Sequence, residues 1–548
     1  MRLHRSSAPP QSAPVDHRGG APPHGRVDAS GDAPPHGRVD ARGDAPPSSE
    51  SILASATYAF VSQIATAAFT AILTLYLVRA LGPSQYGDFA LAVGVGTLVL
   101  LPADFGISSS ASRFVAEHRG DRPQVAAILA DAVRLKLIAT GAACGALLAL
   151  SGPIAAAYHA PLTWPLRLVA IAVFGQSFMF LFLGAFIGTG QVAANVRIVF
   201  GESAVECSAS ILLVLVSGGA AAAAGGRAVG YCCGALFALA LGARAYGWPA
   251  AFRRHGRASS IGRIARYAVP LMLVDGANAL FSAIDMLLIG VYLSSRQVGL
   301  FSAPLRLLTL VTYRALAVAY GVAPRMAHGP GGEPNVAALA RALRGLVLFQ
   351  SLLLAPLIVW AKPIVDILLG SRYSGSTETL RVLSISVYLA GFAPLVSLSA
   401  NYLGDARSRV PLMIGAALLD AAIDVVLIPR IGIVSGAIAT AAALAVMDVG
   451  HLVICRRHVE LPVAPIALSA ARALVAAGLM AAVLLAIGTN PSVPMLVVGG
   501  AAGIAAFLIT LQLLGELSRG ELADARLWAR SRVTALSRRS NCGRSSLG

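Results

Sequence analysis

The amino-acid sequence predicts an all-α, polytopic membrane protein. Hydrophobic residues make up 56% of the 548-residue chain and charged residues only 13%, with a mean hydropathy of +0.72. A soluble protein of this size is far less apolar. Apolar runs of about 20 residues, the length that crosses roughly 30 Å of hydrocarbon, recur along the chain. They predict about fourteen transmembrane helices, near 52–78, 88–106, 125–151, 164–189, 196–216, 227–246, 266–293, 298–323, 339–361, 378–401, 410–429, 432–455, 466–487 and 493–514.

The distribution of positive charge predicts the topology. The net charge of +17 does not indicate nucleic-acid binding, because the Arg residues are spread over loops and are not clustered on one domain or one basic helix. If the N-terminus is cytoplasmic, seventeen Arg lie on inner loops and their helix ends, against seven cationic residues on the outer ones. This bias follows the positive-inside rule. We therefore expect a multi-pass membrane protein with both termini in the cytoplasm.

Two repeats organise the chain. A 12-residue Pro/Gly-rich repeat at 21–32 and 33–44 cannot build a core, so residues 1–50 are predicted to be a disordered tail. A second repeat pairs Leu81–Phe89, after the first helix, with Leu293–Phe301, after the seventh. Its placement predicts two six-helix lobes of the same orientation. The predicted parts are an N-lobe at 51–246, a cytoplasmic linker at 247–265, a C-lobe at 266–455, two further helices at 456–514 and a basic cytoplasmic tail at 515–548.

Four charged residues lie in the seventh and eighth predicted helices: Asp275, Asp285, Arg306 and Arg314. A charge at the centre of a membrane helix costs roughly 2.5–3.5 kcal/mol, so four unpaired charges would cost about 10 kcal/mol. With a turn near 295–296, depth and helical angle predict the ion pairs Asp285–Arg306 and Asp275–Arg314. Either these pairs only join the two helices, or Arg314 faces a cavity and exchanges Asp275 for an anionic group such as phosphate, which an Arg side chain can bind bidentately.

Further charged residues suggest other parts of a transport mechanism. Carboxylates in i, i+4 pairs stand on the fifth and eleventh predicted helices, and such groups either bind a coupling H⁺ or Na⁺ or satisfy a neighbouring helix. These coupling-ion candidates are Glu202, Glu206, Asp420 and Asp424. Charges at the membrane edge are candidates for a cytoplasmic gate, namely Asp104, Arg113 and Arg325.

Enzyme motifs are absent from the sequence. A P-loop needs Gly immediately before its Lys, whereas Lys136 and Lys362 follow Leu135 and Ala361. There is no H-E-x-x-H motif, no G-x-S-x-G motif and no cluster with metal-ligand spacing, and no predicted outer loop is long enough for a catalytic domain. We therefore expect a protein that is not an enzyme and has no metal or cofactor beyond a coupling ion.

A series of short motifs carries a family resemblance. In chain order they are Arg79-x-Leu-Gly-Pro-x-x-Tyr86-Gly87-x-Phe89, Asp104-Phe-Gly-Ile107, Arg113-Phe-Val-Ala116, Asp285-Met-Leu-Leu-Ile-Gly290, Val298-Gly-Leu-Phe-Ser-Ala-Pro-Leu-Arg306-Leu307, Asp366-Ile-Leu-Leu-Gly370-x-x-Tyr373, Leu380-Arg-Val-Leu383 and Leu427-Ile-Pro-Arg-Ile-Gly432-x-x-x-Gly436-Ala-x-Ala-Thr440. In order and spacing the chain resembles, over about 52–530, the polysaccharide-biosynthesis flippases. These are Wzx-type O-antigen and exopolysaccharide transporters of the multidrug/oligosaccharidyl-lipid/polysaccharide (MOP) superfamily. One departure is Asp424, where the family more often has Asn.

The resemblance implies a two-lobed transporter that moves undecaprenyl-diphosphate-linked oligosaccharide across the cytoplasmic membrane by alternating access. Its expected partners are the lipid-linked oligosaccharide, membrane lipid and polysaccharide polymerase or assembly proteins. Three alternatives remain open at this point. A multidrug/cation antiporter usually has twelve helices, and a lipid II flippase is expected to have more Arg in its first-lobe cavity. A non-transporting scaffold of a polysaccharide-assembly complex would not need intramembrane charges.

Overall fold

The computed structural model describes residues 52–253, 261–326 and 334–517, and every regular element in these ranges is helical. The predicted tail at 1–50 and most of the one at 515–548 lie outside the described residues. Seven α-helices belong to the first part of the chain: α1 Ile52–Asp104, α2 Ile107–Glu117, α3 Arg122–Ala157, α4 Thr163–Thr189, α5 Val192–Ser217, α6 Gly219–Tyr246 and α7 Trp248–Arg253.

Ten α-helices form the second part. They are α8 Ile261–Tyr292, α9 Ser295–Val322, α10 Val336–Val359, α11 Ala361–Leu368, α12 Thr377–Ala390, α13 Ala393–Tyr402, α14 Ala406–Ile431, α15 Val434–His458, α16 Val463–Ile487 and α17 Val493–Leu513. Two 3₁₀ turns, Ala323–Met326 and Ser371–Ser376, follow α9 and α11.

Each predicted membrane segment lies on these helices, although several of the predicted ends differ from the helix ends by one or two residues. Helix α1 holds the first two, which meet at a kink where Gly82 has non-helical backbone angles (φ 71°, ψ 174°), and α12 with α13 holds the tenth. Eleven helices in the described ranges are long and apolar enough to cross a membrane. Helices α8 and α9 are not among them, and within α8 the segment Gly276–Tyr292 is apolar but shorter. The prediction of an all-α, multi-pass membrane protein is confirmed.

Side-chain caps begin several helices at loop positions. Asp121, Asn335 and Asp405 accept a hydrogen bond from the backbone N–H three residues later, at the start of α3, α10 and α14. Such caps satisfy N–H groups that have no partner inside the helix.

The range predicted as a linker at 247–265 differs from a simple loop, because it contains α7 and the first turns of α8. The Trp248 ring of α7 packs 5.7 Å from the Phe182 ring of α4.

Helix α1 is the centre of the packing. It contacts α3, α4, α5 and α6 of the first part and, most extensively, α9 of the second, as well as α8. At its kink, the two copies of the repeated sequence motif lie against each other. A Cβ added at Gly87 would lie 1.7 Å from the Ser295 carbonyl oxygen, and one added at Gly299 would lie 1.9 Å from the Pro83 carbonyl oxygen. We call this reciprocal contact between 81–89 and 293–301 the repeat contact.

A second contact joins the two parts at the far end of α1. A Cβ added at Gly106, just beyond α1, would lie 2.6 Å from the Ala268 carbonyl oxygen of α8. The Arg113 guanidinium of α2 lies 4.4 Å from the centre of the Tyr267 ring, and that of Arg263 in α8 lies 4.6 Å from the centre of the Phe114 ring. We call this the α2–α8 contact. The two parts therefore touch at both ends of the segment 88–104 of α1.

One carboxylate supplements the apolar packing of the last two helices on α10. Glu516, after α17, pairs with Arg344 of α10 at 2.7 Å and with Arg472 of α16 at 3.1 Å. It also accepts a hydrogen bond from Ser469 at 2.6 Å. Burial alone would raise the pKa of Glu516, but hydrogen bonds from Ser469, Arg344 and Arg472 outweigh it and hold the pKa below its ordinary value. The ionised carboxylate thus stabilises the packing of α16 and α17 on α10.

Gly87→Ala is expected to separate the repeat contact, because the new methyl group occupies the position of the Ser295 carbonyl. Overpacking of this kind typically costs about 1–3 kcal/mol. Spin labels on cysteines at Ser84 and Arg296, in a chain otherwise free of cysteine, report the separation by pulsed electron resonance. The predicted result is a longer distance in Gly87→Ala and no change in Gly152→Ala, where the added Cβ meets nothing. Equal distances in all three proteins would contradict the proposed tightness of this contact.

Glu516→Gln is expected to lower the thermal stability of the protein, because two Arg lose their ion-pair partner. Stability contributed by a carboxylate with a depressed pKa is present above its unfolded-state pKa and is lost as pH falls through the folded-state pKa. The difference in melting temperature between wild type and variant should therefore be full at neutral pH and disappear on acidification. Glu460→Gln, at an exposed position, serves as the control. A difference that persists at low pH would show that charge is not the cause.

Candidate functional site

Two adjoining cavities lie between the two parts of the chain. The first, of about 350 Å³, is lined by α1, α8, α9, α12 and α15, and its wall includes Asp285, Arg306, Thr309 and Thr440. The second, of about 810 Å³, is lined by α1, α2, α4 and α8. We call them the C-side cavity and the serine cavity. Thr97 and Ser282 line both, so the cavities form one chamber between the repeat contact and the α2–α8 contact, with polar groups set in a mainly apolar wall.

The predicted ion pair between Asp285 and Arg306 is wrong. Both side chains line the C-side cavity, but the carboxylate of Asp285 accepts instead from the Thr440 hydroxyl of α15 at 2.5 Å. Helix α8 packs mainly on α1 and α14, and α9 mainly on α1. Because these two consecutive helices make few contacts with each other, matching depth does not bring their charges together. For the second predicted pair, the side chains of Asp275 and Arg314 lie outside the described residues.

Three carboxyl groups meet beside the C-side cavity. Asp285 of α8 lies within side-chain contact of Asp420 and Asp424 on α14. Asp420 and Asp424 are both 0% exposed, and none of their four oxygens has a hydrogen-bond partner among the described residues. Buried carboxylates without donors or counter-ions are strongly unfavourable. The cluster therefore needs bound protons or a cation to be stable as it stands.

The two glutamates of α5 have unequal surroundings. Glu206 pairs with Arg227 of α6 at 2.7 Å, and Arg227 also donates to the Tyr231 hydroxyl at 3.1 Å. Glu202 is 6% exposed and accepts only from Ser203 at 3.2 Å, with its other oxygen unbonded. Arg227 is one of the seven cationic residues that the sequence predicts on outer loops and their helix ends. In the structure it lies inside α6 and neutralises one of the two glutamates. Glu202 remains the candidate for ion binding in the first part of the chain.

Arg306 faces two spaces. Besides the C-side cavity, it lines a pocket of about 100 Å³ together with Glu206, Arg227, Ser203 and Tyr86. Its side chain is exposed, and it forms no ion pair within the described residues. A guanidinium in this position has donors free for an anionic group, in a geometry suited to phosphate oxygens.

The predicted gate residues are found in different places. Arg113 belongs to the α2–α8 contact, where it pairs with Glu117 at 3.1 Å in addition to stacking on Tyr267. Asp104 instead lines the serine cavity, where it pairs with Lys136 of α3. The side chain of Arg325 lies outside the described residues. Of these three residues, only Arg113 is described at a contact between the two parts of the chain.

Several residues of the site were not predicted. Lys136 was considered only as a P-loop lysine, although a single Lys inside an apolar segment is itself a signal that an acidic partner must lie nearby. Thr440 gave no signal of its own, since a Thr in a membrane helix usually donates to its own backbone, and the Gly436 carbonyl, 2.7 Å from the Thr440 hydroxyl, is the alternative acceptor to Asp285. No group of three or more His, Cys, Asp or Glu in the described ranges is arranged as metal ligands.

Comparison with known proteins identifies the fold. The chain resembles the solved structure of the lipid II flippase MurJ in an inward closed conformation, with a TM-score of 0.67, 13% identity and coverage of 84% of this chain and 98% of that one. An inward-facing multidrug resistance MATE family transporter of the MOP superfamily gives a TM-score of 0.59 at 15% identity, covering 74% and 98%. A eukaryotic MATE transporter gives 0.51 at 16% identity, covering 74% and 98%. No curated protein matches the chain by sequence.

The family model described as polysaccharide biosynthesis protein matches residues 52–328. This range begins at α1 and runs past the end of α9, so it includes the repeat contact, the serine cavity and most of the wall of the C-side cavity. The neighbouring folds agree with the resemblance that the motifs carry. The chain belongs to the polysaccharide biosynthesis protein family, as a multi-pass membrane protein with the fold of MOP-superfamily transporters.

Proposed function

We propose that the protein is a flippase for undecaprenyl-diphosphate-linked oligosaccharide, moving it from the inner to the outer leaflet of a bacterial cytoplasmic membrane. The observation that carries this proposal is the chamber between the two parts of the chain, which has the free guanidinium of Arg306 and several hydroxyl groups in its wall. Membership of the polysaccharide biosynthesis family supports the substrate class. The Arg distribution supports an orientation with both termini in the cytoplasm.

The chamber fits a lipid-linked sugar in three respects. Hydroxyl and amide side chains such as Ser109, Ser112 and Asn278 line the serine cavity and offer hydrogen bonds to a glycan. Arg306 offers bidentate donors to the diphosphate, and Arg314 lies about two turns further along α9. The lipid tail does not need the chamber, because it can stay in the hydrocarbon beside the helices.

The coupling ion is proposed to be H⁺ or Na⁺, with Asp285, Asp420 and Asp424 as its site. H⁺ fits this site better, because the three carboxyl groups are not arranged as ligands of one metal ion. A bound cation removes the cost of burying these carboxylates, which have one hydroxyl donor, that of Thr440, among the described side chains. Asp285 also lines the C-side cavity, so the ion and the substrate share a wall. Ion release can then change the charge that faces the substrate. Glu202 is the second candidate for ion binding, because one of its carboxylate oxygens has no hydrogen-bond partner. It ranks second because it does not line the C-side cavity.

Alternating access requires that the repeat contact and the α2–α8 contact break in turn. The first depends on close backbone approach of Gly87 and Gly299. The second depends on one exposed ion pair, Arg263–Glu117 at 3.8 Å, and on cation–π contacts. Exposed pairs are worth only about 0–1 kcal/mol each, and cation–π contacts at exposed sites about 0.5–1 kcal/mol. The α2–α8 contact can therefore open and close without a large free-energy cost, which supports Arg113 as a gate residue.

Arg306→Ala is expected to slow translocation by roughly 10- to 150-fold, because charge-assisted hydrogen bonds contribute about 1.5–3 kcal/mol each. The assay uses the full-length protein in proteoliposomes that contain undecaprenyl-diphosphate-linked oligosaccharide, with exposure of the sugar measured by a membrane-impermeant glycosidase. Arg296→Ala, on the same helix but outside the cavities, is the matched control and should keep the wild-type rate. A wild-type rate in Arg306→Ala would contradict the role of this residue.

Asp420→Asn and Asp424→Asn are expected to abolish stimulation of translocation by an imposed ion gradient, because an amide cannot release a proton or hold Na⁺ as a carboxylate does. The same assay is run with a pH gradient alone and with a Na⁺ gradient alone, which identifies the ion. Asp366→Asn, outside the cavities beside Lys362, should retain the stimulation. If Glu202→Gln loses the stimulation and both Asp variants keep it, the ion site lies on α5 and the proposed cluster is wrong.

A further inference from the structure

The serine cavity has one charged residue in the wall that the structure describes, and that residue is held in a fixed orientation. Asp104, at the end of α1, accepts from the Lys136 ammonium and from the Ser108 hydroxyl, both through Oδ1. Lys136 is 0% exposed and also donates to Ser108 Oγ at 2.5 Å. The lysine therefore lies behind the cavity wall, where it orients both the carboxylate and the hydroxyl.

The second carboxylate oxygen of Asp104 is available to a ligand. No bond to Oδ2 is formed within the described residues, and the side chain is 18% exposed and lines the cavity. The residues behind it are fixed as well, since the Thr140 hydroxyl donates to the Ala103 carbonyl at 2.8 Å. A carboxylate oxygen held in place at a cavity wall accepts hydrogen bonds and cannot donate them.

The other lining groups adapt to either donors or acceptors. Ser109 and Asn278 are exposed to the cavity, and Ser112 donates to the Gly184 carbonyl at 2.7 Å while its oxygen stays free to accept. Hydroxyl and amide groups bond sugars of any charge. Asp104 is therefore the described group in this wall that distinguishes one sugar from another by charge.

Resting on the flippase function proposed above, we propose that Asp104, oriented by Lys136, selects glycans by charge. The sugar that lies against α2 is neutral or carries an ammonium group, and a uronic acid or other anionic sugar is rejected there. The Asp104 oxygen accepts from a hydroxyl or an ammonium, whereas a carboxylate of the sugar would leave two acceptors facing each other without a proton. Arg306, in the adjoining cavity, then serves the diphosphate and not the glycan.

The test measures translocation of three undecaprenyl-diphosphate-linked disaccharides by the full-length protein in proteoliposomes. Their terminal sugars are glucose, glucosamine with a free amine, and glucuronic acid. Wild type is expected to move the glucuronic acid probe at least tenfold more slowly than the glucose probe, and the glucosamine probe at least as fast. Asp104→Asn should bring the glucuronic acid rate to within about threefold of the glucose rate, because the amide can donate to a carboxylate.

Asp104→Asn leaves Lys136 buried without its counter-ion and can impair folding, so the double variant Asp104→Asn/Lys136→Met, which removes both charges, is measured as well. It should show the same loss of discrimination. Asp121→Asn is the matched control, because Asn also caps α3 and the position lies outside the cavity. It should keep the wild-type preference.

Two results overturn the proposal. If wild type moves all three probes at equal rates, or if both Asp104 variants change all three rates by one common factor, selection by Asp104 is wrong while the flippase function stands. If wild type moves none of the three probes faster than protein-free liposomes do, the flippase function is wrong and the proposed selection falls with it.

Discussion

The cost of holding charge away from water governs the arrangement of this protein. The described charged groups inside the helix bundle have unequal surroundings. Arg227 and Lys136 pair with a carboxylate on a neighbouring helix. Arg306 faces a cavity. Asp420 and Asp424 have neither a partner nor a cavity wall of their own and are buried beside Asp285. Burying these two carboxyl groups without a partner lowers the stability of the protein, and such sites in membrane proteins are typically functional.

The fold was largely predictable because the transfer of apolar residues into the membrane dominates its energetics, and the order of apolar residues can be read directly from the sequence. Hydropathy predicted the helices, and eleven of those described are long and apolar enough to cross a membrane. The repeat at 81–89 and 293–301 predicted two similar units, and in the structure these two motifs contact each other. The repeat in the sequence could not predict the repeat contact, because sequence similarity shows which positions are equivalent and not how far apart they lie.

The site was predictable only in part, because its geometry depends on which helices pack together. The i, i+4 spacing correctly placed Asp420 and Asp424 on one face of α14. The partner of Asp285 was missed, since α8 and α9 were expected to pack as a hairpin and instead each packs mainly on α1. Asp104 was expected at a gate from its place at the end of a segment. Its position in a cavity wall follows from the partnership with Lys136, which lies on α3 and cannot be read from local sequence.

The chamber between two closing contacts gives the proposed mechanism its physical basis. A sugar-diphosphate group requires a polar path through the bilayer, and the path must not be open at both ends at once. The most direct measurement of the central claim is translocation of undecaprenyl-diphosphate-linked oligosaccharide by the purified wild-type protein in proteoliposomes. The account predicts that the sugar reaches the opposite leaflet much faster than in protein-free liposomes. A rate equal to that of protein-free liposomes, together with export of an organic cation such as tetraphenylphosphonium by the same preparation, would contradict it.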